Sequence, residues 1–128
     1  MILGFGLDVA EIARFARILA GPAERAERLL ARVFTPAERA YCDAHHDRAA
    51  RYAARFAAKE AAVKALGAPE GTRWTDLEVV RAEGAPRLDL SGVAAAVAAR
   101  RGVARVHLTI THDAGVAVAA VILEGGTS

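Results

Sequence analysis

Arg55-Phe56-Ala57-Ala58-Lys59-Glu60-Ala61-Ala62-Val63-Lys64-Ala65-Leu66-Gly67 reads as the second half of a long helix, and the rest of the fold is arranged around it. The spacing predicts a helix over residues 48–66, with Asp47 at its N-cap and Gly67 and Pro69 ending it. At 3.6 residues per turn, Tyr52, Phe56, Val63 and Leu66 form an apolar stripe, and alanines fill most of the remaining surface. A helix that is apolar nearly all round is packed on several sides. Arg55, Lys59, Glu60 and Lys64 are the charged residues of this half. Glu60 and Lys64 stand four apart and share a face. As a surface ion pair they would contribute only about 0.3–0.5 kcal/mol. Glu60 also borders the apolar stripe, where a carboxylate is costly unless it is paired or bound to a metal.

Upstream, Ile2 to Val9 alternates as a strand, with Leu3, Phe5, Leu7 and Val9 on one face and Ile2, Gly4, Gly6 and Asp8 on the other. The two glycines beside Asp8 predict open space on that second face. An aspartate at a strand end is also a common helix cap, here for a helix over residues 10–20. The alternative is chemical. Two carboxylates, Asp8 and Glu60, with phosphate oxygens and water would make a typical Mg²⁺ site, and a nearby lysine would neutralise the phosphates.

Gly21-Pro22 separates the first helix from a second that runs to Val33. Thr35-Pro36-Ala37-Glu38 has capping-box spacing and opens a third. Residues 76–81 and 87–90 read as a hairpin around Glu83-Gly84-Ala85-Pro86, and Ser91 caps a last helix ending before Gly102. Val106, Leu108 and Ile110 alternate with His107, Thr109 and Thr111 as a strand. A turn at Asp113-Ala114-Gly115 leads into an apolar strand through Leu123. No linker, repeat or low-complexity tract interrupts the chain. The expectation is one α+β domain over residues 1–128, with helices packed on an antiparallel sheet.

Composition narrows the function. An apolar share of 54% and a charged share of 25% over 128 residues describe a globular domain with one core. Much of that apolar share is alanine, and so small a core is often helped by oligomerisation. Seventeen Lys and Arg face 15 Asp and Glu, so the net charge is only +2. The alternation of Arg and Glu over residues 24–39 reads as a solvated face, unlike the unopposed basic patch of a nucleic-acid module. Cys42 stands alone, which excludes an internal disulfide and a multi-cysteine zinc site. No signal peptide or membrane span is evident, and a cytoplasmic protein with neither nucleic acid nor membrane as partner is expected. His45 and His46 read as solvated loop residues, His107 as a hydrogen-bonded structural group, and Trp74 as packing.

Three blocks together carry a resemblance. Gly4-Phe5-Gly6-Leu7-Asp8-Val9 with Glu11-Ile12-Ala13-Arg14, the helix run Arg55 to Gly67, and His107-Leu108-Thr109-Ile110-Thr111-His112-Asp113 resemble the signatures of the holo-[acyl-carrier-protein] synthases, in the same order and over nearly the whole chain. The resemblance implies transfer of the 4'-phosphopantetheine group from coenzyme A to a serine of an apo acyl carrier protein, with release of 3',5'-ADP and dependence on Mg²⁺. It implies that Asp8 and Glu60 hold the metal and that Lys64 meets the pyrophosphate. Coenzyme A would be bound by Arg55, Lys64, Gly67, Thr111 and His112, and Arg14 and Arg17 on the first helix would dock the acidic carrier. It also implies a homotrimer with active sites between subunits. The serine proton would pass to Glu60 or to a metal-bound water, with Asp113 a third assisting candidate. Leu66-Gly67-Ala68-Pro69 departs from the Phe-Gly-Thr-Gly common in the family, and Pro69 removes one N–H donor. Two readings compete with a fatty-acid carrier synthase. One is a transferase acting mainly on polyketide carriers; the other is a non-enzymatic module that binds acidic protein or RNA through its arginine-rich helices.

Overall fold

The computed structural model describes residues 1–81 and 84–126. In chain order its elements are β1 (Ile2–Glu11), α1 (Ile12–Ala20), α2 (Ala23–Val33), α3 (Pro36–Asp43), α4 (Arg48–Ala65), a 3-10 turn at Trp74–Asp76, β2 (Leu77–Arg81), β3 (Pro86–Leu90), α5 (Gly92–Arg100), β4 (Val103–Asp113) and β5 (Val116–Gly125). The α+β expectation holds: β1, β5 and β4 form an antiparallel sheet in that order, and β2 pairs with β3 as a separate hairpin. Glu83, expected in the hairpin turn, lies outside the described residues.

Helix α4 is the hub. It lies across the inner face of the three-stranded sheet and also meets α1, α3 and β2. Ala53, Ala57, Ala58 and Ala61 have no exposed surface, and methyl side chains are what let several elements approach one helix this closely. On the sheet, Ala117, Ala119, Val121 and Leu123 of β5 turn inward against α4. An aromatic cluster closes the other flank. Phe15 packs on Phe34 and Phe56, Phe34 on Tyr52, and Phe56 on Trp74, with ring centroids 4.8–6.2 Å apart. Trp74 is therefore the packing residue expected of it.

The local signals hold well. Thr35 and Glu38 form the capping box, with Pro36 at the first helical position. Gly67, at φ +83°, and Ala68, at φ +53°, turn the chain out of α4. Asp47 and Ser91 occupy the N-cap positions, but neither side chain accepts the cap hydrogen bond expected of it; Asp47 accepts from Arg51 instead.

Three expectations are corrected. β1 stays extended through Glu11, which pairs with Val116, so helix α1 starts at Ile12 instead of residue 10. The first N–H of α1 then finds the carbonyl of Gly115 at 3.0 Å, and Asp8 caps nothing. The face of β1 carrying Gly4, Gly6 and Asp8 is not open: the backbone of α4 fills it. The opposite face, with Phe5, Leu7 and Val9, is 50–59% exposed. His45, expected to be solvated, stacks on Tyr41 and hydrogen-bonds its carbonyl at 2.7 Å.

Candidate active site

The site begins with the contact between β1 and α4. A Cβ on Gly4 would stand 2.3 Å from the carbonyl oxygen of Ala65, and one on Gly6 only 1.8 Å from that of Ala61. Any side chain at Gly6 would therefore force the strand off the helix. Asp8 is the next residue on this face, and there α4 presents Glu60 and Lys64. Two strand periods of glycine deliver the carboxylate to the helix.

Lys64 Nζ donates to Asp8 Oδ1 at 2.8 Å and to the carbonyl of Leu7 at 3.0 Å. The expected Glu60–Lys64 partnership is thus redirected, since the shortest lysine contact goes to the strand. The Asp8 side chain is 11% exposed and that of Lys64 55%, so the carboxylate is sheltered while the ammonium stays open to a ligand. Hydrogen bonding to Asp8 raises the Lys64 pKa. Glu60 is half-buried. Burial pushes its pKa up from 4.5, the Asp8 carboxylate beside it pushes the same way, and Lys64 and Arg14 oppose. Even with Lys64 and Arg14 acting on it, the Glu60 pKa stays raised, so added positive charge is favourable here.

Arg14 links this cluster to a groove. Its guanidinium lies 5.4 Å from the Phe56 ring centroid. Arg14 also lines a groove of about 280 Å³ between α1 and α2, with Arg17, Ile18, Arg25, Ala26 and Leu29. The floor is apolar and the rim basic.

The other implied site residues lie elsewhere in the chain. Arg55 is five positions before Glu60, hence about 140° around the helix. It is buried, stacked 4.0 Å over the Tyr41 ring, with its Nε unpartnered. Thr111 and His112 sit exposed on β4, which β5 separates from β1. Asp113 Oδ1 accepts the N–H of Ala114 and shapes the β4–β5 turn. Gly67 has open space around it. Among the described residues no group of three or more His, Cys, Asp or Glu gathers, so the acidic cluster is the Asp8–Glu60 pair alone.

Residues 4–121 match the model of the 4'-phosphopantetheinyl transferase superfamily. The chain belongs to this superfamily of enzymes. A holo-[acyl-carrier-protein] synthase of Anaeromyxobacter dehalogenans (strain 2CP-C) is 78% identical, over 98% of this chain and 98% of its own length. One from Myxococcus xanthus is 58% identical, over 96% and 95%. A holo-(acyl-carrier-protein) synthase of Bacillus anthracis, solved in complex with CoA (3',5'-ADP), superimposes with a TM-score of 0.77 at 31% identity, over 98% of this chain and 99% of that one.

Two charged residues of this phosphopantetheinyl transferase escaped sequence reasoning. Glu38, read as part of a solvated alternation, is fully buried and paired with Lys59 at 2.7 Å. A lysine on an all-round apolar helix was the available signal, because it must find an acceptor inside. Arg101, whose guanidinium bridges the carbonyls of Ala65 and Leu3, carried no sequence signal.

Proposed function

We propose that this transferase moves the 4'-phosphopantetheine group of coenzyme A onto a serine of an apo acyl carrier protein and releases 3',5'-ADP, in a Mg²⁺-dependent reaction. The observation that carries the reading is the convergence of Asp8, Glu60 and Lys64, in a chain of this family, at the contact of β1 with α4.

Asp8 and Glu60 fit Mg²⁺ on their own chemistry. Both offer hard oxygen donors, and their crowding, which adds to burial in lifting the Glu60 pKa, is what a divalent cation relieves. When bound, the ion stabilises charge that builds on phosphate oxygens. Lys64, half-exposed and anchored by Asp8, faces the same region with an ammonium for the pyrophosphate. The carrier serine Oγ forms a bond to the β-phosphorus, and the bond from that phosphorus to the bridging oxygen of 3',5'-ADP breaks. The serine proton passes to an acceptor at this cluster, a Glu60 carboxylate oxygen or a water beside it.

Two surfaces support the partners. The groove of α1 and α2, with Arg14 and Arg17 on its rim, suits an acidic carrier; electrostatic docking there would speed association and weaken with salt. The exposed sheet face of Phe5, Leu7 and Val9 suits burial against other copies, as in a homotrimer. In such an assembly Thr111 and His112 would reach coenzyme A at a neighbouring copy's Asp8–Glu60 pair. A cytoplasmic location fits the single free, buried Cys42.

The test is to incubate the protein with coenzyme A, Mg²⁺ and an apo carrier protein, and to follow the carrier by intact mass. A gain of one phosphopantetheine group on the carrier serine is expected. No gain on fatty-acid or polyketide carriers would refute the reading.

A further inference from the structure

The end of α4 leaves one carbonyl to account for. Ala62 accepts from the N–H of Leu66 at 3.0 Å, Val63 from Ala68 at 2.8 Å, and Lys64 from Gly67 at 3.1 Å. The continuing helix would have given Ala65 the N–H of residue 69, but that residue is Pro69, which has none. The donor to Ala65 is instead Arg101 Nη1, at 3.0 Å, reaching in from the C-cap of α5.

The same guanidinium does a second job. Its Nη2 donates to the carbonyl of Leu3, at the point between Ile2 and Gly4 where the register of β1 on β5 shifts. One planar fork thus spans the last turn of α4 and the bulge of β1. It does so at one of their two close approaches, since the Ala65 oxygen is also the atom that leaves no room for a Cβ on Gly4. The next residue back, Lys64, is the one that reaches Leu7 and Asp8.

We propose that Arg101 is a positioning residue for the transfer reaction: by holding the carbonyls of Ala65 and Leu3 together it fixes how far β1 lies along α4, and so sets Asp8 against Glu60 and Lys64. The inference rests on the transfer reading above. Arg101 touches no reacting atom. It acts through the two backbones, and a slip of about 1 Å there would pull Asp8 from Lys64 and spread the paired carboxylates.

The test uses the full chain with Arg101→Met and Arg101→Lys, and Leu88→Ala in the β2–β3 hairpin as a control for lost stability alone. Mn²⁺, a paramagnetic substitute for Mg²⁺, is titrated by water-proton relaxation with coenzyme A present and no carrier; steady-state transfer is measured separately. Arg101→Met is expected to weaken Mn²⁺ binding about tenfold and lower kcat, with KM for the carrier unchanged. Arg101→Lys, which cannot span both carbonyls, should fall between the two and carries the test if Arg101→Met does not fold. Leu88→Ala should lose thermal stability with Mn²⁺ binding intact. Wild-type Mn²⁺ affinity in the arginine variants, or an equal loss in Leu88→Ala, would overturn the role of Arg101. Absence of transfer by the wild-type protein would overturn the transfer reading instead.

Discussion

On one side of α4, Lys59 is completely buried. Its ammonium donates to Glu38 and to the carbonyls of Trp74 and Leu77, so each of its three protons has an acceptor. Glu38 in turn accepts the backbone N–H groups of Thr35 and Val79, each at 2.9 Å. About 100° around the same helix, Glu60 stands half-buried against another carboxylate, with half-exposed Lys64 bonded to that carboxylate and Arg14 adding charge from α1. Lys59 and Glu60 are adjacent in the chain, yet the first belongs to a closed polar network and the second to an unbalanced one. The closed network joins α3, α4 and the start of the hairpin. The unbalanced one leaves the Glu60 pKa raised despite its two cations, so further positive charge is favourable there, which is the property a metal and phosphate site requires.

The contrast can be broken most severely at Lys59. Lys59→Met would leave Glu38 charged and dry, and should lower unfolding free energy by about 3–5 kcal/mol, measured by urea denaturation. A loss below about 1 kcal/mol would mean that the pair is not a closed network.

Glu60→Gln should behave in the opposite way. Transfer should fall by about a thousandfold, while thermal stability at pH 7 should rise. The sign follows from the raised pKa. The fold binds the Glu60 proton more tightly than the unfolded chain does, so ionising Glu60 costs stability once the pH exceeds its ordinary 4.5. That cost grows as pH climbs to the raised folded value and is complete above it. The advantage of Gln should therefore be present at neutral pH and vanish as pH falls below the ordinary carboxylate range. A melting temperature lower than wild type at neutral pH would contradict the unbalanced picture.

Gly6→Ala tests the contact that delivers Asp8. Its Cβ would meet the Ala61 carbonyl oxygen, so a cost of about 1–3 kcal/mol and a loss of transfer are expected together. Stable, fully active Gly6→Ala would show that β1 need not lie so close to α4. The mildest test uses Cys42, on the Lys59 side. Burial pushes its thiol pKa up to about 12. Iodoacetamide at pH 8 should leave it unmodified in the folded protein and alkylate it promptly in urea; prompt labelling without urea would mean that this side is not dry.

Local chemistry was legible from the chain. The capping box of Thr35 and Glu38, the glycine exit from α4 and the alternation of β4 each depend on residues a few positions apart. Asp8 and Glu60 could be raised as a metal pair from their chemistry, but it took the motif blocks that resemble those of a known family to prefer that reading. Their spacing alone favoured a helix cap for the one and a surface ion pair for the other.

What the tertiary structure decided is which partner each group meets across long stretches of chain. Pairing with β5 carried β1 on to Glu11 and delayed α1. The backbone of α4 occupied the glycine face that looked open, and Lys64 turned to Asp8 in preference to Glu60. Glu38 found Lys59, and Arg101 took the carbonyl that Pro69 could not serve. Residue types and their local rhythm dictate elements, because backbone hydrogen bonds and caps act over a turn or two. Burial, charge pairing and the donor for a stranded carbonyl depend on surfaces that exist only after those elements have packed.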